Sequence, residues 1–293
     1  MGKYSRGENI FNVFNILFML FLCALTIYPF LHALAVSLSS DVAIASKIIT
    51  IFPIEATLEN YALCLGREDI KSSAVISILR TIIGIISHLL VTGLAAYSIS
   101  IKTLPFRKSF GVFYIIPMFL NAGLIPYYVT IHDLGLMNTF WVYIIPSAFA
   151  TYHMLIMRTY FETIPDSLME SARIDGANEL LVLWRIVVPV SLPIIAVIAL
   201  FVGVGQWNSW FDAMLFVTKI KLHPLAMVLQ RVIMASEIRD PKTAMSVAKK
   251  GALTSPEGIK MAVLMIVTTP IIFSYPFFQR YFIRGIMIGA IKG

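Results

Sequence analysis

Charge is what this chain has least of. Asp, Glu, Lys and Arg make up 13% of its 293 residues, while 58% are hydrophobic; soluble domains carry roughly a quarter charged residues. The scarcity is also uneven. No charged residue lies between Glu8 and Asp41, Lys108 and Asp133, Asp133 and Arg158, Arg185 and Asp212, or Lys260 and Arg280, and Arg80 is the sole charge between Lys71 and Lys102. That excludes an ordinary soluble domain. Cysteine is scarce as well: Cys23 and Cys64 stand alone, which excludes a disulfide framework, and no metal-ligand spacing accompanies them. There is no Gly-x-x-x-x-Gly-Lys-Ser/Thr phosphate loop, so the sequence offers no ATPase site of its own.

What remains is a set of long apolar runs. A membrane-spanning helix needs about 20 mainly apolar residues. Six runs qualify, at about 10–37, 72–100, 109–131, 136–157, 186–217 and 261–280. They are too long and too uniformly apolar for barrel strands, which alternate over about 10 residues. A helix also satisfies its own backbone hydrogen bonds in lipid. The expected fold class is therefore an all-α polytopic membrane protein forming one transmembrane domain over 1–293. Lys3 and Arg6 ahead of the first run mimic a signal peptide, but the run exceeds a signal core of roughly 7–15 residues. It reads as a retained span.

Six spans place both termini on one side. That side carries eleven basic residues: Lys3, Arg6, Lys102, Arg107, Lys108, Arg158, Arg173, Arg185, Arg280, Arg284 and Lys292. Basic residues favour the cytoplasm, so both termini are expected there. The loop at 218–260 opposes this, with eight basic and three acidic residues; long, late loops weigh less in the rule. Within it, Leu225, Val228, Leu229, Val232 and Ile233 fall at helical spacing, and Pro224 suits a first helical turn. A short surface helix is expected there.

The most informative stretch joins runs four and five. It reads Ile164-Pro165-Asp166-Ser167-Leu168-Met169-Glu170-Ser171-Ala172-Arg173-Ile174-Asp175-Gly176-Ala177-Asn178 and continues to Ile186-Val187-Val188-Pro189. Pro165 can open a helix, Asp166 and Glu170 suit its early turns, and Asp175-Gly176 signals a bend. A short helix, a bend and a second short helix would form a compact knob. The spacing resembles the EAA loop of ABC-importer permeases: Glu-Ala-Ala, three residues, Gly, nine residues, Ile-x-Leu-Pro. Glu170-Ser171-Ala172, Gly176 and Ile186-Val187-Val188-Pro189 occupy those places, with Ser171 for Ala and Val188 for Leu. Leu134-Gly135-Leu136, Asn138-Thr139, Trp207-Asn208 and the ending Gly289-Ala290-Ile291-Lys292-Gly293 are similar to the smaller permease of the carbohydrate-uptake branch.

The resemblance implies the type I ABC-importer permease fold and a division of labour. The loop at 163–189 would dock on a separate ATPase subunit through Glu170, Ser171, Ala172, Asp175, Gly176 and Pro189. ATP and Mg would sit on two such subunits, with no cofactor on this chain. A second permease, an extracytoplasmic solute-binding protein and membrane lipid would complete its surroundings, with no nucleic acid. The tail at 283–293, with Gly289, Lys292 and Gly293, would reach the ATPases. The substrate would be an oligosaccharide, and the relatives implied include importers of alginate or other uronate oligosaccharides. The basic loop at 218–260 agrees with an anionic substrate and equally with lipid headgroups or an acidic binding protein.

Polar residues inside spans are costly and mark pathways or interhelical glue. Gln206, Trp207, Asn208, Ser209, Trp210 and Asp212 cluster in run five. Gln206, Ser209 and Asp212 are spaced to share a helical face, as are Gln206 and Trp210. Aromatic faces stack on sugars and amides bond hydroxyls, so both readings stand. Arg80 can line a cavity or pair with a carboxylate of the partner permease. Asn121, between Pro117 and Pro126, marks either a cavity-facing break or a proline kink. His32, His88 and His132 have no ligand spacing. Rival functions are a permease for a non-sugar solute, an ion-coupled secondary transporter, which would show broken helices and coupling carboxylates, and a membrane enzyme, for which no catalytic constellation is visible.

Overall fold

The structure, a computed structural model, describes residues 6–46, 49–120, 122–237 and 256–290, with side chains omitted for Arg6, 275, 277, 278 and 280–290. All regular elements among them are helical. The chain divides into two compact units, one of 1–68 with 229–269, the other of 69–228 with 270–293.

In the first unit, α1 (Arg6–Ser37) is followed by α2 (Asp41–Ser46) and α3 (Glu59–Gly66). Ala35, Val36, Ala43, Ile44 and Ile49 form a small core, to which Met261 adds. Asn60 ties the turn below α1, donating from Nδ2 to the carbonyls of Ser37 and Ser39 at 3.2 Å each. The apolar stretch of α1 from Ile10 to Leu31 is exposed on every side. A helix that is apolar all round suits lipid or another subunit.

The second unit is organised by α4 (Glu68–Ser100). Its 33 residues reach about 50 Å. The buried stripe runs Ser73, Ser77, Arg80, Gly84, His88, Thr92, Ala96, at helical spacing, while Ile78, Ile82, Ile86 and Leu90 are exposed. This inverts a soluble helix. Lipid accepts the large apolar groups, so the packed face takes small and polar ones. Gly84 and Gly203 mark where α4 meets the later helix α11 (Leu192–Asn208). A Cβ on Gly84 would fall 2.9 Å from Gln206 Cγ, and one on Gly203 would fall 3.0 Å from Ile85 Cδ1.

Three of the apolar runs do not become plain helices. Run three splits into α5 (Arg107–Phe119) and α6 (Leu124–Asp133), inclined at 116°. Gly123, at φ +82°, caps the second piece; Asn121 lies outside the described residues. Run four, expected over 136–157, is helical only as a 3₁₀ turn (Phe140–Tyr143) and α7 (Thr151–Phe161). Between them the backbone is held by other elements. The carbonyls of Ser147 and Ala148 accept from His88 Nδ1 at 2.7 Å and Thr92 Oγ1 at 3.3 Å. Irregular backbone at membrane depth is tolerated where protein supplies such partners.

Run five, expected over 186–217, begins later. The knob comprises α8 (Asp166–Ile174) and α9 (Glu179–Val182) and passes through a π-helical turn (Leu183–Val187) into α10 (Val188–Val190). The chain then turns by 84° into α11 (Leu192–Asn208). Pro189 and Pro193 straddle that corner, where neither can donate a backbone hydrogen bond. A further break at Ser209 and Trp210 precedes α12 (Phe211–Phe216). The short helix expected after Pro224 is present as α13 (Leu225–Glu237), with Leu225 and Val228 buried. Last comes α14 (Pro256–Ala290). Among the described residues, three helices and the two bent pairs are long and apolar enough to cross a membrane.

Candidate functional site

Two places in the second unit gather the residues singled out from the sequence. The first is the knob. Helix α8 ends in a Schellman turn: Gly176 N–H donates to Arg173 O at 3.0 Å and Ala177 N–H to Ala172 O at 2.9 Å. This closure needs a left-handed residue after the cap, and Gly176 has φ +86°. Asn178 then caps α9, its Oδ1 accepting from Leu181 N–H at 2.8 Å. The Ala-x-x-x-Gly-Ala-Asn order is therefore a helix stop followed at once by a helix start.

The knob shows its motif to the outside. Glu170, Ser171, Asp175, Gly176 and Pro189 are exposed, and Ala172 is half-buried. Ile174 is 85% exposed and Leu180 60%, which is unusual for apolar side chains beyond a lipid-facing span. A hollow of about 310 Å³ lies beside them, lined by Ala172, Gly176, Leu181 and Arg185 among others. The underside is packed: Val182, Leu183 and Val187 join Tyr97, Phe161 and Ile164 in one buried cluster.

Sequence reasoning did not find Glu179 and Tyr97. Glu179 accepts from Arg173 Nε at 2.8 Å and Nη2 at 3.2 Å, and from the Tyr97 hydroxyl at 2.6 Å. The Arg173 fork holds the Glu179 carboxyl below the usual carboxylate range, and Glu179 in turn raises Arg173. A helix-capping Asn followed by a carboxylate was the available signal.

The second place lies within the spans. Arg80 is buried, and each nitrogen of its guanidinium has a partner. Nε donates to Gln206 Oε1 at 2.9 Å, Nη1 to Ser209 O at 3.1 Å, and Nη2 pairs with Asp212 Oδ2 at 2.5 Å. The guanidinium also lies 4.3 Å from the centre of the Tyr143 ring, within cation–π range. Gln206 Nε2 donates to Tyr143 O at 3.2 Å and Ser147 Oγ at 2.7 Å. Asp212 accepts from Ser209 Oγ at 3.1 Å and its neighbour Ala213 N–H at 2.8 Å. The partner of Arg80 is thus a carboxylate of its own chain.

A pair of imidazoles extends the network. His88 Nδ1 faces the Ser147 carbonyl and must donate to it. In the neutral ring His88 Nε2 is then an acceptor, and His153 Nδ1 donates to it at 2.9 Å. The side chains of Arg80, His153, Phe201, Gln206 and Asp212 line a cavity of about 340 Å³. Gln206, Ser209 and Asp212 do come together, although no continuous helix carries them. Trp207 is buried, Asn208 is exposed, and Trp210 packs against the cluster that holds Tyr143, Ala213 and Phe216. Among the described residues no three His, Cys, Asp or Glu side chains gather as metal ligands would. Gly289 falls in the last turn of α14, while Lys292 and Gly293 lie outside the described residues.

Asn138, part of the motif at the start of run four, also gains a physical role. It adopts φ +56°. Its Oδ1 accepts from Thr218 N–H at 2.6 Å, Thr218 Oγ1 at 2.9 Å and Lys219 N–H at 3.2 Å, clamping the turn after α12.

Comparison with known proteins agrees along the whole chain. The profile of the family described as binding-protein-dependent transport system inner membrane component matches residues 6–288. Protein LplC of Bacillus subtilis is 35% identical over 289 residues, 99% of this chain and 97% of LplC. The polygalacturonan/rhamnogalacturonan transport system permease protein YtcP of the same organism is 31% identical, covering 98% of this chain and 99% of its own. A crystal structure of a bacterial ABC transporter involved in the import of the acidic polysaccharide alginate superposes with a TM-score of 0.87 at 28% identity, over 96% of this chain and 100% of that one. The fold is accordingly the all-α permease fold of type I ABC importers. With its knob, its spans and its matched length, the chain belongs to the family of binding-protein-dependent transport system inner membrane components.

Proposed function

We propose that this chain is one of two permease subunits of a bacterial importer that takes up an acidic oligosaccharide handed over by a binding protein. ATP and Mg sit on two separate ATPase subunits, and the knob at 163–189 couples their closure to the spans. Both termini face the cytoplasm, in keeping with the eleven basic residues on their side. The tail at 283–293 reaches the ATPases. The observation that carries the coupling role is the exposed Glu170 face on a helix stopped by the left-handed Gly176. An acidic oligosaccharide is supported by the names of two similar proteins, one a polygalacturonan/rhamnogalacturonan permease and the other part of an alginate importer.

The cavity edged by Gln206, Ser209 and Asp212 is proposed as part of the pathway. Arg80 serves there as an internally paired charge. The preference for uronates therefore rests on other basic groups, Lys219 and Lys221 among them, both exposed in the loop after α12.

The test is reconstitution with the partner permease, ATPases and binding protein. Glu170→Ala should leave the chain folded, because Glu170 is exposed, while ATPase copurification falls by at least tenfold. Uptake of alginate or oligogalacturonate fragments should exceed uptake of matched neutral oligosaccharides, and high salt should narrow the difference. Normal ATPase assembly by Glu170→Ala would remove the coupling assignment; preference for the neutral sugar would remove the uronate assignment alone.

A further inference from the structure

We infer that Glu179 is a positioning residue that fastens the coupling knob to α4 through Arg173 and Tyr97, so that knob and helix move as one body. The inference rests on the coupling role given to the knob above.

The geometry is that of a bracket. Glu179 stands in the first turn of α9, receives the two-pronged Arg173 fork from α8, and receives the Tyr97 hydroxyl from α4. Bidentate guanidinium–carboxylate contacts and hydroxyl–carboxylate bonds are the directional, charge-assisted kind. One carboxylate thereby fixes three helices relative to one another. Each of its oxygens accepts from Arg173, and one of them accepts from Tyr97 as well.

Apolar packing of Val182 and Val187 holds the underside of the knob, and a second ion pair ties it to its surroundings. Lys102 pairs with Asp166 at 2.5 Å, but their side chains are 64% and 50% exposed, and exposed pairs contribute little. Tyr97, by contrast, is buried in the cluster that also holds Val182 and Val187. Its ring cannot slide without opening that cluster, so its hydroxyl is a fixed post. The depressed Glu179 carboxyl fits an ion that keeps its charge throughout the working pH range.

Beyond Tyr97, α4 carries the bracket into the membrane. His88 and Arg80 lie further along the same buried stripe, and Arg80 is about 26 Å away at the helical rise. His88 and Arg80 grip the Ser147 carbonyl, Gln206 and Asp212. A helix held at these levels passes a displacement of one end to the other, as packed elements with discrete arrangements do. Tyr97→Phe removes one hydrogen bond and keeps the ring; Glu179→Gln removes the charge and keeps the shape.

The experiment uses the assembled complex with Cys23→Ser and Cys64→Ala, spin labels on the exposed positions 86 and 17, and ATP with vanadate as the driving ligand. In the otherwise unaltered complex, vanadate trapping should shift the label-to-label distance. In Tyr97→Phe and Glu179→Gln, ATPase subunits should copurify and trap vanadate normally, while the shift is lost and uptake falls about tenfold, within the range of allosteric couplings. The double variant should be no worse than Glu179→Gln alone. A retained shift in both variants overturns the inference, as does an unaltered complex in which α4 does not move. Loss of the ATPases from Tyr97→Phe also overturns it, by making the bracket a docking element. Glu170→Ala separates the two proposals, since it loses the ATPases themselves.

Discussion

Arg80 and Asp212 stand 132 residues apart and meet at 2.5 Å, with side chains 2% and 24% exposed. The inequality matters, because the better buried partner suffers more from being left alone. Asp212→Ala strands a guanidinium inside the bundle and should cost about 3 kcal/mol or more. Arg80→Met leaves a carboxylate that keeps Ser209 Oγ, Ala213 N–H and some water, and should cost less. The double variant Arg80→Met with Asp212→Asn should recover part of the loss. Melting of the detergent-solubilised protein ranks the three.

Crossing distance gives a second expectation. Gly84→Ala should destabilise by about 1–3 kcal/mol, because the added methyl meets the packed Gln206 side chain at 2.9 Å. Gly205→Ala has nothing within 4 Å and should be neutral or slightly stabilising. The same melting measurement compares them, and equal effects would contradict the close packing of α4 on α11.

The knob's turn makes a third. Gly176→Ala forces a Cβ into the left-handed region at φ +86°, costing about 1–2 kcal/mol. Gly176→Asn should cost less, since Asn tolerates that region. ATPase copurification should fall in the same order. A Cβ at this position meets no atom within 4 Å, so a large effect of Asn beyond that of Ala would point away from backbone strain.

A fourth concerns pH. The folded Glu179 carboxyl titrates below its unfolded value, chiefly through the Arg173 hydrogen bonds. Its contribution is complete above the unfolded value and disappears as pH falls through the folded one. The stability difference between the parent and Glu179→Gln should be flat from roughly pH 6 to 8. It should shrink only in acid. Because the side chain is half-exposed, that difference should not exceed about 1 kcal/mol. A change near neutrality would assign the linkage to another group.

The apolar runs were legible because lipid demands their length, and the knob because its stop-and-start chemistry uses a fixed residue order. The breaks were harder to see. Run four contains no charge to announce irregularity, and what holds it open is His88, Thr92 and Gln206 from other elements. Costly groups such as Arg80, Gln206 and Asp212 stood out singly, but their meeting depends on α11 ending at Asn208, which helical spacing alone does not reveal. The His88–His153 contact spans 65 residues and neither residue carries a local motif. Glu179 was hidden among ordinary loop charges. Residues that act through partners distant in sequence leave little local trace.

The irregular backbone of run four has a consequence for how the protein is made. A segment whose carbonyls are answered by side chains of α4 and α11 cannot be released alone into lipid, where an unanswered carbonyl is costly. His88 and Thr92 precede it in the chain, so part of its support exists when it leaves the ribosome. Gln206, which reaches the Tyr143 carbonyl and Ser147, is synthesised 63 residues after Tyr143. Until then the segment must stay within the insertion machinery or against α4, and its assembly into the membrane is late and joint rather than span by span.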